Sequence, residues 1–390
     1  MAFMHRSETI ANLADQVEAN QTWLLQHLRQ LVEIESPSDS PTAVNQANDF
    51  VSEIADSFGA RVKRHKQKTF GDVLELRFGP VRSKLKPILL LGHLDTVWPL
   101  GTLKSMPWRE ADGNIYGPGV LDMKAGVMMA LTALKSLHEL GVTRPVTLLL
   151  NPDEEVGSTV SRPITERLAL ASSAVFVLEP AQGLAYKTAR KGVGQYELYV
   201  TGVAAHSGVD FTRGHSAIRE LVRLVETVSN FTDLDRGRTV NCGVIQGGTR
   251  SNVIAERAYA EVDVRIAKAS DAARVEKLFQ SLKPTDRACS LKITGGINRP
   301  PMERTPGTVT LYKQARTLAA EIGFTLGEAS TGGGSDGNFT SALGVPTLDG
   351  MGAVGEGAHA GHESIVATHL LPRTTLLAAM IVASSARIKA

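Results

Sequence analysis

Three short, continuous apolar runs constrain the fold of this chain more than any other feature of its sequence. They lie at 88–92, 146–150 and 174–178, and they are rich in leucine and β-branched residues. Runs of this length and composition predict central strands of a sheet covered on both faces. A helical pattern over 123–141, closed by Gly141, lies between the first two runs. Strands that alternate with helices predict an α/β fold with a mostly parallel sheet.

Further helices are expected on both sides of these strands. Apolar spacing predicts helices over about 10–34 and 42–58, and again over 308–322 and 367–388. A further strand is expected around 345–348. These helices are the elements that cover the central sheet.

The pattern changes near residue 190. The stretch GQYELYVTGV alternates as a half-exposed strand does, and VNCGVIQGG, AYAEVDVRI and CSLKITGG predict three more strands. Helices at about 215–230 and 271–283 accompany them, which predicts a two-layer α+β domain. We therefore predict that residues 190–301 form a domain inserted into a catalytic domain made of 1–189 and 302–390.

The bulk composition excludes several classes of protein. A formal net charge of +2 over 390 residues argues against a nucleic-acid or membrane-surface partner. Only two cysteines occur, Cys242 and Cys289, so neither a disulfide framework nor a zinc-thiolate site is expected. No run of about 18 apolar residues predicts a membrane span. The first residues, MAFMHRSETIANLADQ, contain no apolar signal-peptide core, which predicts a cytoplasmic protein.

Polar side chains follow the ends of the predicted central strands. They are His93 and Asp95 after ILLLG, Asp153, Glu154 and Glu155 after VTLLLN, and Glu179 after AVFVL, with Asp122 in the loop GPGVLDMKAG. Carboxyl ends of parallel strands meet at one edge of a sheet, where sites assemble. Crowded carboxylates repel each other unless a cation holds them. Histidine and carboxylates without a thiolate suit zinc, cobalt or manganese.

Each of these residues alone has an ordinary structural explanation. A histidine after a strand is usually a solvated turn residue, and Asp-Glu-Glu after a strand is usually a helix N-cap. Asp122 in a glycine-rich loop is typical of turn chemistry. The combination of all of them, in order and at strand ends, favours a metal site.

Five ordered motifs carry a family resemblance: GHLDTVWP, GPGVLDMKAG, NPDEEVGS, VLEP and GAHAGHES. From about residue 85 to its end, the chain resembles the co-catalytic dizinc aminoacylase and carboxypeptidase family. That family includes acetylornithine deacetylase, succinyl-diaminopimelate desuccinylase and the G-type glutamate carboxypeptidases, and the last group is the most similar. The resemblance implies a zinc-exopeptidase fold whose inserted domain is a dimerisation and lid domain, and hence a homodimer. The two-domain layout itself suggests hinge closure, with hinges expected near 188–192 and 299–305.

The resemblance also implies the metal centre. Two Zn²⁺ ions per subunit, or alternatively Co²⁺ or Mn²⁺, are expected on five ligands: His93 and Glu179 on one ion, Glu155 and His359 on the other, and Asp122 bridging both. The peptide bond after the bridging aspartate is expected to be cis.

Three further assignments complete the implied centre. Glu154 is the expected general base, and Asp95 is expected to accept a hydrogen bond from the far ring nitrogen of His93. His359 is preferred to His362 as the ligand because the family has a histidine four residues before a glutamate, here Glu363.

Other residues match substrate-contacting positions of the family. His206 and Asn252 correspond to residues that reach an active site across a dimer interface, and Arg265 to an anion-binding position. Without the resemblance, His206 is typical of a strand-end turn. Lys187 and Arg299 match cations that hold the carboxylates of a C-terminal glutamate, although ordinary surface charge is the alternative.

Two loop features near these positions are less informative. TGGGSDGN, at 331–338, resembles a loop beside the substrate and lacks the Gly-Lys-Ser/Thr of a phosphate loop. Arg190 and Lys191 have no role that the sequence assigns.

The sequence thus predicts a dizinc metallohydrolase that cleaves the amide bond to a C-terminal amino acid, with glutamate as the expected residue. Its substrate would be a small N-acyl amino acid or a short peptide. An N-acyl amino acid deacylase, similar to acetylornithine deacetylase, is the alternative. A non-catalytic dimeric binding protein is a remote one, because all five ligands and the base are present. A dinucleotide-binding oxidoreductase is excluded because LGHLDTVWP is not Gly-x-Gly-x-x-Gly.

Overall fold

The computed structural model describes residues 6–383, which divide into two compact units. The first unit contains the described residues up to Ala189, the segment Arg304–Ser330 and the described residues from Ser335 onwards. The second unit contains Arg190–Glu303 and Thr331–Gly334.

The regular elements of the described residues are as follows. The helices are α1 Arg6–Ala19, α2 Gln21–Glu33, α3 Pro41–Asp56, α4 Ala125–Glu139, α5 Arg162–Leu170, α6 Ala217–Ser229, α7 Ala272–Gln280, α8 Pro306–Ile322, α9 Gly337–Ala342 and α10 Leu370–Ala383. The strands are β1 Arg61–His65, β2 Val73–Phe78, β3 Ile88–His93, β4 Arg109–Ala111, β5 Asn114–Tyr116, β6 Val146–Asn151, β7 Ala174–Val177, β8 Ala185–Arg190, β9 Gly192–Thr201, β10 Thr239–Gly247, β11 Arg257–Ile266, β12 Ser290–Arg299, β13 Gly327–Thr331, β14 Thr347–Leu348, β15 Gly355–Glu356 and β16 Ser364–Val366. None of these helices combines the length and the apolar character needed to cross a membrane.

A six-stranded sheet forms the centre of the first unit, in the order β1-β2-β6-β3-β7-β14. The neighbours β6, β3, β7 and β14 run parallel, whereas β1 and β2 add an antiparallel edge. The predicted α/β fold with a mostly parallel sheet is confirmed. The three apolar runs form β3, β6 and β7, and every residue of these strands is buried.

Helices cover β3, β6 and β7 on both faces, which explains why most residues of these strands are apolar. Ile88 and Leu90 of β3 enter the larger core, where α4 and α10 also pack. Leu89 and Leu91 point the other way, into a smaller core that contains Leu168 of α5. Because successive side chains of a strand alternate between faces, a strand covered on both sides has few positions for polar residues.

The second unit is a two-layer α+β structure, as the sequence predicts. Its antiparallel sheet has the order β10-β11-β9-β12, and α6 and α7 pack on one face. The amphipathic character of α6 fits this position, because Leu221, Leu224 and Val228 recur on one side and are buried.

The elements differ from the sequence-based expectations in the following details. The helix expected over 10–34 is two helices that meet at Asn20, whose side-chain amide donates hydrogen bonds to Gln16 O, Ser136 Oγ and Glu139 Oε2. The last expected helix is described only to Ala383, so its predicted end at 388 lies outside the described residues. A small antiparallel sheet, β15-β16-β5-β4, was not predicted, because strands of two or three residues have no detectable period.

Candidate metal centre

The carboxyl ends of three adjacent strands supply the polar residues of the site. His93 is the last residue of β3, Glu154 and Glu155 follow β6 in a short 3₁₀ turn, and Glu179 lies two residues beyond β7. The strands β6, β3 and β7 are neighbours and parallel, so their ends share one edge. The structure therefore brings these residues together as the strand order requires.

One cluster at this edge contains His93, Asp122 and Glu179, with ligand atoms all within 4.8 Å of one another. His93 Nε2 lies 3.2 Å from Asp122 Oδ1 and 3.7 Å from Glu179 Oε1. His93 is almost fully buried, and Glu179 is also buried. This is one of the two ligand sets that the sequence predicts.

A second cluster contains Asp122, Glu155 and His359, again within 4.8 Å. His359 Nε2 lies 3.2 Å from a carboxylate oxygen of Glu155 and 3.4 Å from Asp122 Oδ2. Asp122 therefore turns one oxygen to each histidine, as a bridging ligand would. His362 is exposed and belongs to neither cluster of the described residues. The peptide bond between Asp122 and Met123 is cis, as expected.

The charges of the two clusters shift their pKa values strongly. Hydrogen bonds to Asp122 and Glu155 raise the pKa of His359 to about 10. Burial lowers the pKa of His93, but hydrogen bonding to Asp122 and the charge of Asp95 outweigh it and raise the pKa well above its usual value. The two imidazoles in turn hold the pKa of Asp122 below its usual range, against the effect of burial.

This donor set fits a divalent metal. Three carboxylates and two imidazoles converge on two neighbouring points without a thiolate, and an anionic pocket of this kind favours a divalent cation in place of imidazole protons. His93, Asp122 and Glu179 would hold one ion, and Asp122, Glu155 and His359 would hold the other.

Asp95 contacts different atoms from those that the sequence predicted. His93 Nδ1 lies 2.9 Å from the backbone oxygen of Asp95 and 3.5 Å from its Oδ1, so the ring donates to the carbonyl rather than to the carboxylate. The carboxylate instead accepts the backbone N–H groups of Glu154 and Glu155, at 3.2 and 3.1 Å, and the Ser38 hydroxyl at 2.7 Å. These three donors occupy its oxygens. Asp95 thus holds the Glu154–Glu155 turn, and its backbone orients His93.

Glu363 has a role in this site that sequence reasoning missed. It is fully buried, and its carboxylate accepts the N–H groups of Gly119, Leu121 and Asp122. The indole N–H of Trp98 also donates to it. Burial raises the pKa of Glu363, and these donors oppose that effect. The sequence signal that could have identified it is the family pattern of a histidine four residues before a glutamate, here His359 and Glu363.

The second unit contains four of the predicted residues. His206 Nδ1 accepts the Gly208 N–H at 3.1 Å, and the backbone of Asn252 accepts a hydrogen bond from Ser207 N–H at 3.0 Å, so His206 and Asn252 lie in adjacent segments. Arg265 donates to both carboxylate oxygens of Asp263. Arg299, at the end of β12, is buried.

Lys187 lies in the first unit, in β8, on a well-fixed backbone. Lys187 and Asp349 exchange two backbone hydrogen bonds of 2.8 and 3.1 Å. The Lys187 side chain packs beside Gly350, where an added Cβ would meet Lys187 Cγ at 3.3 Å. Arg373, buried in α10, donates to the carbonyl oxygens of Gly350 and Gly352 at 2.7 and 2.8 Å.

Arg190, which had no assigned role, holds the glycine-rich segment of the second unit. Its Nη1 donates to the carbonyl oxygens of Gly333 and Gly334 at 3.3 and 3.0 Å. The backbone N–H of Lys191 donates to Thr331 O at 3.0 Å. These bonds explain why Thr331–Gly334 groups with the second unit, although the predicted division left it in the part 302–390.

A family model described as "Peptidase family M20/M25/M40" matches residues 89–383, a range that includes all the candidate ligands. The chain belongs to this peptidase family. The family resemblance read from the five motifs is confirmed, and the protein is a metal-dependent M20 hydrolase of the carboxypeptidase and aminoacylase type.

Known proteins agree with this family assignment. Carboxypeptidase G2 from Pseudomonas sp. (strain RS-16) is 30% identical to this M20 chain over 371 residues, which cover 92% of this chain and 88% of that protein. Two solved structures share the fold. Aminopeptidase PepT from Bacillus cereus has a TM-score of 0.79 at 21% identity, covering 94% of this chain and 99% of its own. The M20 metallo-carboxypeptidase Sso-CP2 from Sulfolobus solfataricus has a TM-score of 0.75 at 18% identity, covering 92% and 98%.

Proposed function

We propose that this M20 hydrolase is a dizinc carboxypeptidase that releases a C-terminal amino acid, preferentially glutamate, from an N-acyl amino acid or short peptide. The observation that carries the proposal is the position of Asp122, whose two carboxylate oxygens face His93 and His359 separately. A bridging carboxylate between two ligand sets suits two metal ions. Similarity to carboxypeptidase G2 over most of the chain supports the carboxypeptidase reaction.

The chemistry follows from the residues around the two clusters. When bound, two Zn²⁺ ions would polarise the scissile carbonyl and lower the pKa of a water molecule. Glu154 takes a proton from the attacking water on its carboxylate and returns it to the leaving nitrogen, so that the C–N bond breaks to a carboxylic acid and an amine. The two hydrogen bonds from the Glu154–Glu155 backbone to Asp95 keep this turn in place during the transfer.

Lys187 and Arg299 are the residues proposed to give the enzyme its preference for glutamate. The paired β8 backbone fixes the position of the Lys187 backbone, and the Lys187 side chain packs beside Gly350, which reduces the freedom that this cation loses when it binds a carboxylate. The buried Arg299 presents the planar donor group that suits carboxylates. Arg265 is proposed as a further anion-binding residue.

A homodimer through the second unit is also proposed, with His206 and Asn252 completing the partner subunit's site. Large apolar side chains on this unit support it. Ile218 and Val222 of α6 are 41% and 53% exposed, and Ile245 of β10 is 52% exposed. Apolar side chains exposed together are typical of an interface.

A cytoplasmic location stays a prediction.

A panel of substrates with one acyl group and different amines tests the proposal. Zinc-reconstituted protein is expected to prefer glutamate over its neutral analogue glutamine by about 100-fold or more in kcat/KM, because a cation is proposed to bind the side-chain carboxylate. Lys187→Met should raise KM for the glutamate substrate only, and Lys313→Met, on the exposed face of α8, serves as the matched control. Preference for ornithine would instead indicate an N-acyl amino acid deacylase, and no hydrolysis with metal bound would overturn the enzymatic proposal.

A further inference from the structure

Glu363 accepts four hydrogen bonds beside the metal centre. Its Oε1 accepts the backbone N–H groups of Leu121 and Asp122 at 2.9 and 3.0 Å. Its Oε2 accepts the Gly119 N–H at 2.9 Å and the Trp98 indole N–H at 2.8 Å. Each oxygen therefore serves two donors, and the side chain is fully buried. A buried carboxylate with four donors is a strong anchor for the backbone that supplies them.

Strand pairing brings this anchor to the loop that carries Asp122. Ser364 of β16 lies opposite Tyr116 of β5, immediately before the loop begins. On the other side, Glu363 N–H donates to Ala360 O at 2.9 Å, so Glu363 closes a turn that starts next to His359. The same short segment thus contains a ligand of the second cluster and the carboxylate that holds the bridging aspartate.

We propose that Glu363 is a positioning residue that sets the separation of Asp122 and His359, and thereby the affinity of the second cluster for a divalent cation. The inference rests on the proposed function, because it assumes that both clusters bind metal. Glu363 touches neither the metal position nor the substrate. It acts through the backbone N–H of Asp122 and through the turn that orients His359.

The second cluster depends on this anchor more than the first does. In the first cluster, His93 and Glu179 are at the ends of neighbouring buried strands, and His93 is oriented by the Asp95 carbonyl. In the second, His359 is half-exposed, has a backbone φ of 62°, and lies outside every regular element of the described residues. The Glu363 side chain joins the segment of His359 directly to the backbone of the Asp122 loop.

Glutamine at position 363 would keep the shape of the side chain and remove half of its acceptors. Whichever way the amide is oriented, its NH₂ group faces two donors in place of an oxygen. Glu363→Gln therefore weakens the hydrogen bonds to the Asp122 loop without creating a cavity. Glu356→Gln is the matched control, because Glu356 is an exposed glutamate on β15 of the same C-terminal segment.

The test is a titration of the metal-free full-length protein with Zn²⁺, followed by calorimetry in competition with a chelator. Wild type and Glu356→Gln are expected to show two binding constants. Glu363→Gln is expected to lower one of the two binding constants about 10- to 100-fold, which is the usual effect of losing a group that orients metal ligands, and to leave the other within a few-fold. Trp98→Phe, which removes one of the four donors, should produce a smaller loss at the same site.

Other outcomes would contradict this role and separate it from the proposed function. A Glu363→Gln protein whose melting temperature falls while both Zn²⁺ constants stay unchanged has lost only a structural contact, which overturns the inference. If Glu363→Gln does not fold, unchanged binding by Trp98→Phe overturns it equally. Wild type that binds Zn²⁺ twice and hydrolyses the substrate panel upholds the proposed function in either case, whereas wild type that binds no Zn²⁺ overturns both proposals.

Discussion

Three consecutive acidic residues follow β6, and each has different surroundings. Asp153 is fully buried, with Oδ2 accepting the Val160 N–H at 2.7 Å. Glu155 faces His359. Glu154 is partly exposed and, among the described residues, belongs to neither metal cluster. Of the three, Glu154 therefore has the position that a residue exchanging protons with water and substrate requires.

Glu154→Gln is expected to keep its zinc and lose its turnover. Removal of a general base costs about 10²- to 10⁴-fold in rate, whereas the five candidate ligands stay in place. Metal content by mass spectrometry and kcat on the best substrate of the panel measure the two effects. Glu356→Gln controls for the loss of one negative charge. A variant that keeps wild-type kcat would remove Glu154 from the base role.

The residues of the site were predictable where the strand pattern decides their position. His93, Glu155 and Glu179 follow apolar runs, and parallel strands bring such residues to one edge. The hydrogen bonds of Asp95 and Glu363 were not predictable in this way. They go mainly to backbone N–H groups, and which N–H groups come within reach depends on loop conformation and on pairing between residues 248 positions apart, as with Tyr116 and Ser364.

At the scale of elements, the contact between α4 and the end of β7 fixes one side of the site. Gly126 lies in the first turn of α4, and a Cβ added there would be 2.1 Å from the carbonyl oxygen of Leu178. Leu178 immediately precedes Glu179, so the helix can approach the strand end this closely only because residue 126 has no side chain. The approach also explains why a glycine is tolerated inside a helix, where it is normally unfavourable.

Gly126→Ala is expected to destabilise the protein by about 1–3 kcal/mol, because overpacking against backbone costs more than the roughly 1 kcal/mol that alanine gains in helix propensity. Urea unfolding of the metal-free protein measures the change. Gly361→Ala is the control, since a Cβ at Gly361 would meet no atom within 4 Å. An unchanged or increased stability of Gly126→Ala would show that α4 can move away from Leu178 without loss.

The elements themselves were predictable to different degrees. Elements with a strong apolar signal lie where the sequence places them: the continuous apolar runs form β3 and β6, and the amphipathic period forms α6. The break between α1 and α2 was not predictable, because it depends on the contacts of Asn20 with α4 residues far along the chain. The sheet that contains β5 and β16 was missed because its strands are too short to show alternation.

At the scale of the whole molecule, the two units have separate apolar cores, and only one of them contains the candidate metal ligands among the described residues. The second unit has its own apolar core, formed by its sheet with α6 and α7. The five candidate metal ligands all belong to the first unit. Any stabilisation by metal binding should therefore act on the first unit, since a ligand stabilises the structure to which it binds.

A fragment of residues 190–303 tests this separation. Saturating Zn²⁺ should raise the melting temperature of the full chain, and EDTA should reverse the change. When free Zn²⁺ exceeds Kd about 1,000-fold, the free energy of unfolding should increase by about 4 kcal/mol. The fragment should unfold cooperatively at a temperature that neither Zn²⁺ nor EDTA alters. A fragment that Zn²⁺ stabilises would place a metal ligand in the second unit, where His206 would be the first candidate, and a fragment that does not fold would show that its core needs the first unit.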